Sequence, residues 1–357
     1  LNLSFVSKID MKRVGILGAG GFTGQMLIRL LSHHPEVSVV FISSGEYAGK
    51  SLADALPAMD SIKYKGLSFT RHPDSIEHFP DADVYFLATP DSVSLTWAPQ
   101  LVERGYKVID ISGAFRIKDA AVFEKAYKLK HNAPEALLQA AYGIPEINRN
   151  RIASASLVAN PGCYASAALL SLYPLSAFPP DTFGMPVLDG KSGTSGAGGR
   201  AEKDALPFSG VYENFRAYKV QGHQHEPEIR QEFASFMGNP VASLRFTPHL
   251  IPMYQGIFMS TYIPVASPEN FSIEKLRKSA DDFAHRELFV RHYNDPNEIE
   301  TRKVRLTNFA DISYHYDPEH QLLIAVSAID NLMKGAAGVA VQNLNLLFGF
   351  PEEMALL

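Results

Sequence analysis

The chain has 357 residues, 46% of them hydrophobic and 20% charged, enough for a sizeable core and two domains. A formal net charge of −5, with no Lys/Arg run that would track a phosphate backbone, excludes nucleic acid as the main partner. No apolar run approaches the roughly 18 residues of a membrane span, and a single cysteine excludes an internal disulfide framework and a multi-cysteine metal site and fits a reducing, cytoplasmic setting.

Residues 1–10 lack the long apolar core and small-residue cleavage site of a signal peptide, and read as an extension ahead of Met11. "KRVGIL" at 12–17 predicts a short strand that breaks at Gly18. A glycine turn follows, then a helix in which Met26, Leu27, Leu30 and Leu31 recur until Pro35 ends the pattern. "VSVVFISS" at 37–44 is nearly all apolar, as a parallel strand buried on both faces would be. "DVYFLATP" (83–90) and "YKVIDISG" (106–113) repeat that pattern around a helical "SVSLTWAPQLVERG". Strand, glycine turn, helix and strand in alternation predict a Rossmann-like doubly wound α/β domain up to about residue 159.

After Cys163 the character changes. "SLRFTPHLIPM", "GIFMSTYIPVA", "KVRLTNFADISYHYD" and "QLLIAVSAID" are strand-like, with helical stretches at 225–237 and 272–288. They predict a mixed α+β domain. The closing "DNLMKGAAGVAVQNLNLLFGFPEE" reads as a long amphipathic helix that returns to the first domain. The division expected is a discontinuous dinucleotide-binding domain, 11–159 with 327–357, and a catalytic and oligomerisation domain, 160–326.

"GAGGFTG" sits between a strand and a helix, where free amides and a partial positive charge await a pyrophosphate. Its glycines fit at Gly18, Gly21 and Gly24, one residue longer than the common spacing, with Phe22 and Thr23 between them. The second strand ends in Ser43 and Ser44 with no carboxylate at its tip. Hydroxyls there favour NADP over NAD; the alternative is that the serines only cap the next turn. Pro90, closing the run 83–90, is placed on the same cofactor side.

The lone Cys163 follows Asn160-Pro161-Gly162 at a predicted helix start, where first-turn amides would favour a thiolate; the alternative is inert packing. His223 and His225 in "GHQHEPEI" offer a general acid/base. A metal site completed by His249, or purely structural histidines, are the alternatives, and no third ligand has clear spacing. "DGKSGTSGAGGRA" (189–201) is too glycine-rich for a strand or helix interior and reads as a linker or a substrate-side loop offering Lys191, Ser192 and Ser195 to anionic groups.

"GAGGFTG", "AYGIPEI", "VANPGCY", "KSGTSGAG", "HQHEPEI", "FTPHLIPM" and "DNLMKGAAGVAVQNLN", in that order, resemble the N-acetyl-γ-glutamyl-phosphate reductase family from about Met11 to the end of the chain. The resemblance implies NADPH-dependent reduction of an acyl phosphate to an aldehyde in arginine biosynthesis. It implies Cys163 as nucleophile and His223 as acid/base, with His225, Arg116 and Asn160 in support. It also implies a cofactor-side role for Asn331 and for Gly193, Gly196 and Gly198, and a homodimer or homotetramer. Metal is not implied.

The chain departs from the family pattern at several positions. Ala114 stands where Asp is usual, Asp91-Ser92 where His-Gly is common, and Gln224 and Gln255 where Arg is usual. Ser44 stands where Arg often follows the second strand, and Gly199, with Arg200 next, stands where Arg follows "SGAG". These changes are expected to thin out positive charge around the substrate. A related reductase acting on a carrier-bound aminoadipyl phosphate would call for a basic patch that a pI near 6.2 does not suggest. Aspartate-semialdehyde dehydrogenase and a silent NADP-binding regulator are the other readings.

Overall fold

The run at 12–17 forms β1 (Lys12–Leu17), whose last four residues are buried. In this computed structural model, which describes residues 11–57, 62–64, 66–197, 211–239 and 243–357, β1 belongs to a seven-stranded sheet. Its companions are β2 (Val37–Ser43), β3 (Phe69–Thr70), β4 (Val84–Leu87), β5 (Lys107–Asp110), β6 (Ala141–Tyr142) and β7 (Leu157–Ala159). The order is β3-β2-β1-β4-β5-β7-β6, and every pair is parallel. The strand order reverses between β1 and β4, which opens a crevice at their carboxyl ends.

The second sheet contains β8 (Val187–Ser192), β9 (Arg216–Ala217), β10 (Arg245–Leu250), β11 (Ile257–Pro264), β12 (Val290–Tyr293), β13 (Ala310–Asp317) and β14 (Leu322–Ile329). It runs β12-β13-β14-β11-β8-β10-β9, with β8–β10 and β12–β13 parallel and the other pairs antiparallel. The doubly wound α/β domain and the mixed α+β domain expected from the sequence are both present.

The helix Cys163–Leu172 follows β7 and lies against the second sheet, so the chain passes from one sheet to the other at the cysteine. Tyr164 through Leu172 are all buried. Small residues in "CYASAALLSL" let the helix sit close, and its carbonyls are used as anchors. The Ser327 hydroxyl donates to Ala167 O (2.9 Å) and the Tyr314 hydroxyl to Ser171 O (2.7 Å).

Three expectations change. Residues 189–192 are neither linker nor loop but most of the inner strand β8. A side chain on Gly190 would lie 2.6 Å from the Tyr164 ring and 2.9 Å from that of Phe246, so glycine is there to admit an aromatic against the backbone. The C-terminal segment is not one amphipathic helix. A π-turn at Met333–Ala337 leads into a helix Gly338–Phe348 that is buried on nearly all sides, with Val341 and Leu344 in the core that holds Val14 and Leu27. Finally, the strand predicted from 303 begins only at Ala310; Thr301–Val304 is a helical turn. β14 runs on to Ile329, and Asp330 follows it.

No helix among the described residues is long and apolar enough to cross a membrane.

Candidate active site

Cys163 is the first residue of its helix, and Gly162, in extended conformation, is the cap. The corner is held from both sides. The Gly162 amide donates to Glu228 Oε1 (2.8 Å), which also accepts from the Tyr142 hydroxyl (2.7 Å). Arg116 Nη1 lies 3.6 Å from Glu228 Oε2, an ion pair nine-tenths or more buried. Arg116 further donates through Nε to Asn160 O and through Nη2 to Ile111 O, both at 2.7 Å. The Asn160 side chain donates to Ala336 O (3.1 Å) and accepts from Asn343 (3.0 Å). A side chain at Gly162 would strike His225 Nε2 and Arg116 Nη1; one at Gly335 would lie 2.8 Å from Cys163 Cβ. Glycine therefore lets the His225 and Arg116 side chains close on one flank of the thiol and the Gly335 backbone on the other.

The two histidines meet at the start of the helix His225–Met237. Their rings are 4.7 Å apart, and each lies edge-on to Tyr164, the residue after Cys163, at 5.9 Å. The His225 amide donates to His223 Nδ1 (3.1 Å), so a neutral His223 carries its proton on Nε2. His225 Nδ1 is buried without a hydrogen-bond partner among the described residues. Burial, then repulsion from His225 and Lys219, pushes His223 down to about 2. Burial and then Arg116 hold His225 well below the ordinary value. Both rings are neutral at physiological pH.

The thiol goes the other way from the sequence expectation. Burial pushes Cys163 up to about 11, outweighing the opposite pull of Arg116 and of the Tyr164 amide. The helix start is where the sequence placed it, and desolvation is the larger effect. The resting centre is a neutral thiol beside neutral imidazoles.

Asn331 closes the far side of the cleft. Its Oδ1 accepts from the Gly256 amide (2.6 Å) and its Nδ2 donates to Ser195 Oγ (2.9 Å). The turn at 193–196 is tied to the segment before β11: the Gly193, Thr194 and Ser195 amides donate to Gly256 O, Met253 O and Tyr254 O at 2.8–2.9 Å, and Gly196 folds back to Gly193 O. Ser192 is buried, its hydroxyl donating to Gly193 O (3.0 Å).

At the crevice, Gly18 has φ +78° and a side chain there would collide with Ala88 O, so the turn after β1 needs glycine. Gly21 caps the helix Phe22–Ser32, with no side-chain cap and no acidic residue in its first turn. A side chain on Gly21 would meet nothing closer than Gly18 O at 3.7 Å. The open space above Gly21 and the first-turn amides of Phe22, Thr23 and Gly24 fit a pyrophosphate. Pro90 caps the helix Asp91–Glu103 across the same crevice. The Phe22 ring meets Tyr254 edge-on at 6.2 Å, joining the glycine turn to the second domain.

Not every residue singled out in the sequence joins this centre. Lys191 alternates to the opposite face of β8 from Gly190 and Ser192, and pairs with Asp189 Oδ2 (2.7 Å). His249 lies on that face too, 2.9 Å from Asp189. No group of three metal-ligating side chains stands together among the described residues. Ser44 is buried, and its hydroxyl accepts from the Glu46 and Tyr47 amides, which is the turn-capping alternative. Ser43 shares a hydrogen bond with His72 Nδ1 (2.9 Å). Gly198 and residues 1–10 lie outside the described residues. Sequence reasoning missed Glu228, Tyr142 and Gly335. Glu228 was findable, since three residues after His225 on a helix it shares that histidine's face.

Two family profiles cover this arrangement: the NAD binding domain of semialdehyde dehydrogenases over residues 13–155, and their dimerisation domain over 163–331. An N-acetyl-gamma-glutamyl-phosphate reductase of Leptospira borgpetersenii is 43% identical over 97% of this chain and 99% of its own length. The chain belongs to the N-acetyl-γ-glutamyl-phosphate reductase family. Another reductase of that name, from Halothermothrix orenii, is 41% identical over 97% of this chain and 98% of its own. The reductase also resembles solved aspartate semialdehyde dehydrogenases in fold. One from Vibrio cholerae matches with a TM-score of 0.69 at 19% identity, covering 95% of this chain and 98% of that one. One from Candida albicans, with NADP, has a TM-score of 0.70 at 17% identity over the same shares. The expected oxidoreductase of amino-acid biosynthesis, with a nicotinamide dinucleotide site and a dimerisation domain, is thereby established.

Proposed function

We propose that the chain reduces N-acetyl-L-glutamyl 5-phosphate to N-acetyl-L-glutamate 5-semialdehyde with NADPH, in arginine biosynthesis, through a thioester on Cys163. The observation that carries the reading is the single cysteine at a helix start between the dinucleotide crevice and a buried His223–His225 pair.

Each step balances with the residues in place. The Cys163 sulfur bonds to the acyl carbon, the carbon–oxygen bond to phosphate breaks, and the thiol proton departs with the phosphate. A nicotinamide dinucleotide held at the Gly18–Gly24 turn would supply the hydride that reduces the thioester carbon. His223, with its proton on Nε2, is the donor assigned to the oxyanion that then forms; His225 fixes that tautomer through its amide. Carbon–sulfur cleavage releases the aldehyde as the hemithioacetal hydroxyl proton passes to the sulfur, and solvent restores the proton to His223. Glu228, Arg116 and Asn160 hold the Gly162–Cys163 corner rather than the acyl group. A neutral thiol is workable because the leaving phosphate is a competent proton acceptor near neutral pH.

The second domain supports a homo-oligomer. Tyr262 and Val187 on β11 and β8 are neighbours in register and remain 38% and 39% exposed on the sheet face away from the Cys163 helix. A homodimer or homotetramer built on that face would cover them.

The deciding assay runs the reaction in reverse, measuring phosphate-dependent NADP reduction with N-acetylglutamate semialdehyde. Turnover is expected, and Cys163→Ser should abolish it. Absence of turnover with the native chain would remove the substrate reading; turnover surviving in the serine variant would remove the thioester.

A further inference from the structure

We propose that Arg71, at the exit of β3, is the cation that receives the 2′-phosphate of the dinucleotide and so sets the preference for NADP; this rests on the NADPH reading above. In a doubly wound fold the adenosine ribose lies at the tip of the second strand. That tip here is Ser43-Ser44-Gly45-Glu46, with no cation and one exposed carboxylate, Glu46. The two hydroxyls are engaged locally, Ser43 with His72 and Ser44 with the Glu46 and Tyr47 amides. A dianion beside Glu46 calls for a positive group, since hydrogen bonds from ionised donors are roughly twice as strong as neutral ones.

The fold supplies one from the neighbouring strand. β2 and β3 are parallel, Ser43 pairs with Thr70, and the Ser44 amide donates to Thr70 O (3.0 Å). The two strands therefore end side by side at the ligand edge of the sheet, and Arg71 is the next residue along β3. The Ser43–His72 hydrogen bond fixes the residue after it to the same tip. Arg71 is exposed and takes no part in a hydrogen bond or ion pair among the described residues, whereas Arg13 and Arg104 of the same domain are paired with Asp81 and Glu77. Lys50, the other cation nearby, lies over the Tyr47 ring. An arginine fork matches a phosphate monoester, and this one has no structural duty to abandon.

The test is a calorimetric titration of the full-length protein with 2′,5′-ADP and with 5′-AMP, which differ only in the 2′-phosphate. In the native protein 2′,5′-ADP should bind the more tightly. Arg71→Gln should weaken 2′,5′-ADP at least tenfold and leave 5′-AMP unchanged, while Arg71→Lys recovers part of the loss. If Arg71→Gln binds 2′,5′-ADP as the native protein does, Arg71 is not the determinant although the NADP reading stands. If the native protein binds both nucleotides equally, the NADP reading fails and this assignment fails with it.

Discussion

The acidity of Cys163 separates two accounts of this centre. Position at a helix start predicts a thiolate at neutral pH, whereas the structure predicts a protonated thiol, because burial pushes it from 9.0 up to about 11. At pH 7.5 a thiol of that acidity is ionised to roughly one part in 3,000, against about 3% for a thiol at 9.0, a difference near 100-fold. The assay is iodoacetamide labelling of the native chain between pH 6 and 11, followed by intact mass. With one cysteine in 357 residues, the label has one destination. The expected rate climbs tenfold per pH unit past pH 9 and levels only near 11. The linkage has the same sign. Between about 9 and 11 the folded chain keeps a proton that the unfolded chain has released, so this group's contribution to stability falls as pH rises through that window. A labelling rate that has already levelled by pH 8 would refute the dominance of burial and restore a resting thiolate.

Two substitutions probe the corner around that thiol. Glu228→Ala strands Arg116 without its buried partner and leaves the Gly162 amide and Tyr142 hydroxyl without an acceptor; a loss of about 3–5 kcal/mol is expected by urea unfolding, and under 1 kcal/mol would mean that the ion pair does not hold the corner. Gly335→Ala places a methyl 2.8 Å from Cys163 Cβ; overpacking should cost about 1–3 kcal/mol in melting while turnover falls much further, and unchanged turnover would show that the cysteine has room to shift.

The parallel sheet was legible because its strands are nearly continuous apolar runs; 12–17, 37–44 and 83–90 became β1, β2 and β4 within a few residues. The helix-start position of Cys163 and the proximity of the two histidines were legible too, since helix start and spacing are local. What was not legible depends on contacts distant in sequence. Gly190 reads as a loop residue until Tyr164 is seen against it, and then it is the reason a strand can lie there. β3 and β6 are two residues each and carry no periodicity. The shift of the thiol comes from desolvation, which residue order does not display. Arg116, expected as support for the substrate, has its Nε and Nη2 donors on backbone carbonyls 44 and 5 residues away.

The departures from the family pattern bear on the scaffold more than on the acyl group. Ala114 is fully enclosed in an apolar cluster with Phe115 and Phe123, its carbonyl accepting from His131 (3.0 Å). Asp91 accepts from the Gly113 amide (2.6 Å), and Gln224 from Lys219 (2.8 Å). Gln255 is the most informative. Its amide donates to both oxygens of buried Asp330, at 2.8 and 2.7 Å, alongside the Leu306, Leu332 and Met333 amides. Asp330 precedes Asn331, which links Gly256 to Ser195. A neutral amide at 255 thus braces the loop that lines the cofactor side, without adding a charge to the cleft. Ala114, Asp91 and Gln255 are engaged within the scaffold, while the bond of Gln224 to Lys219 is exposed. The hydrogen bonds of Gln224 and Gln255 are made within the chain, and the corner at Gly162–Cys163 that fixes the reaction type is untouched by either change.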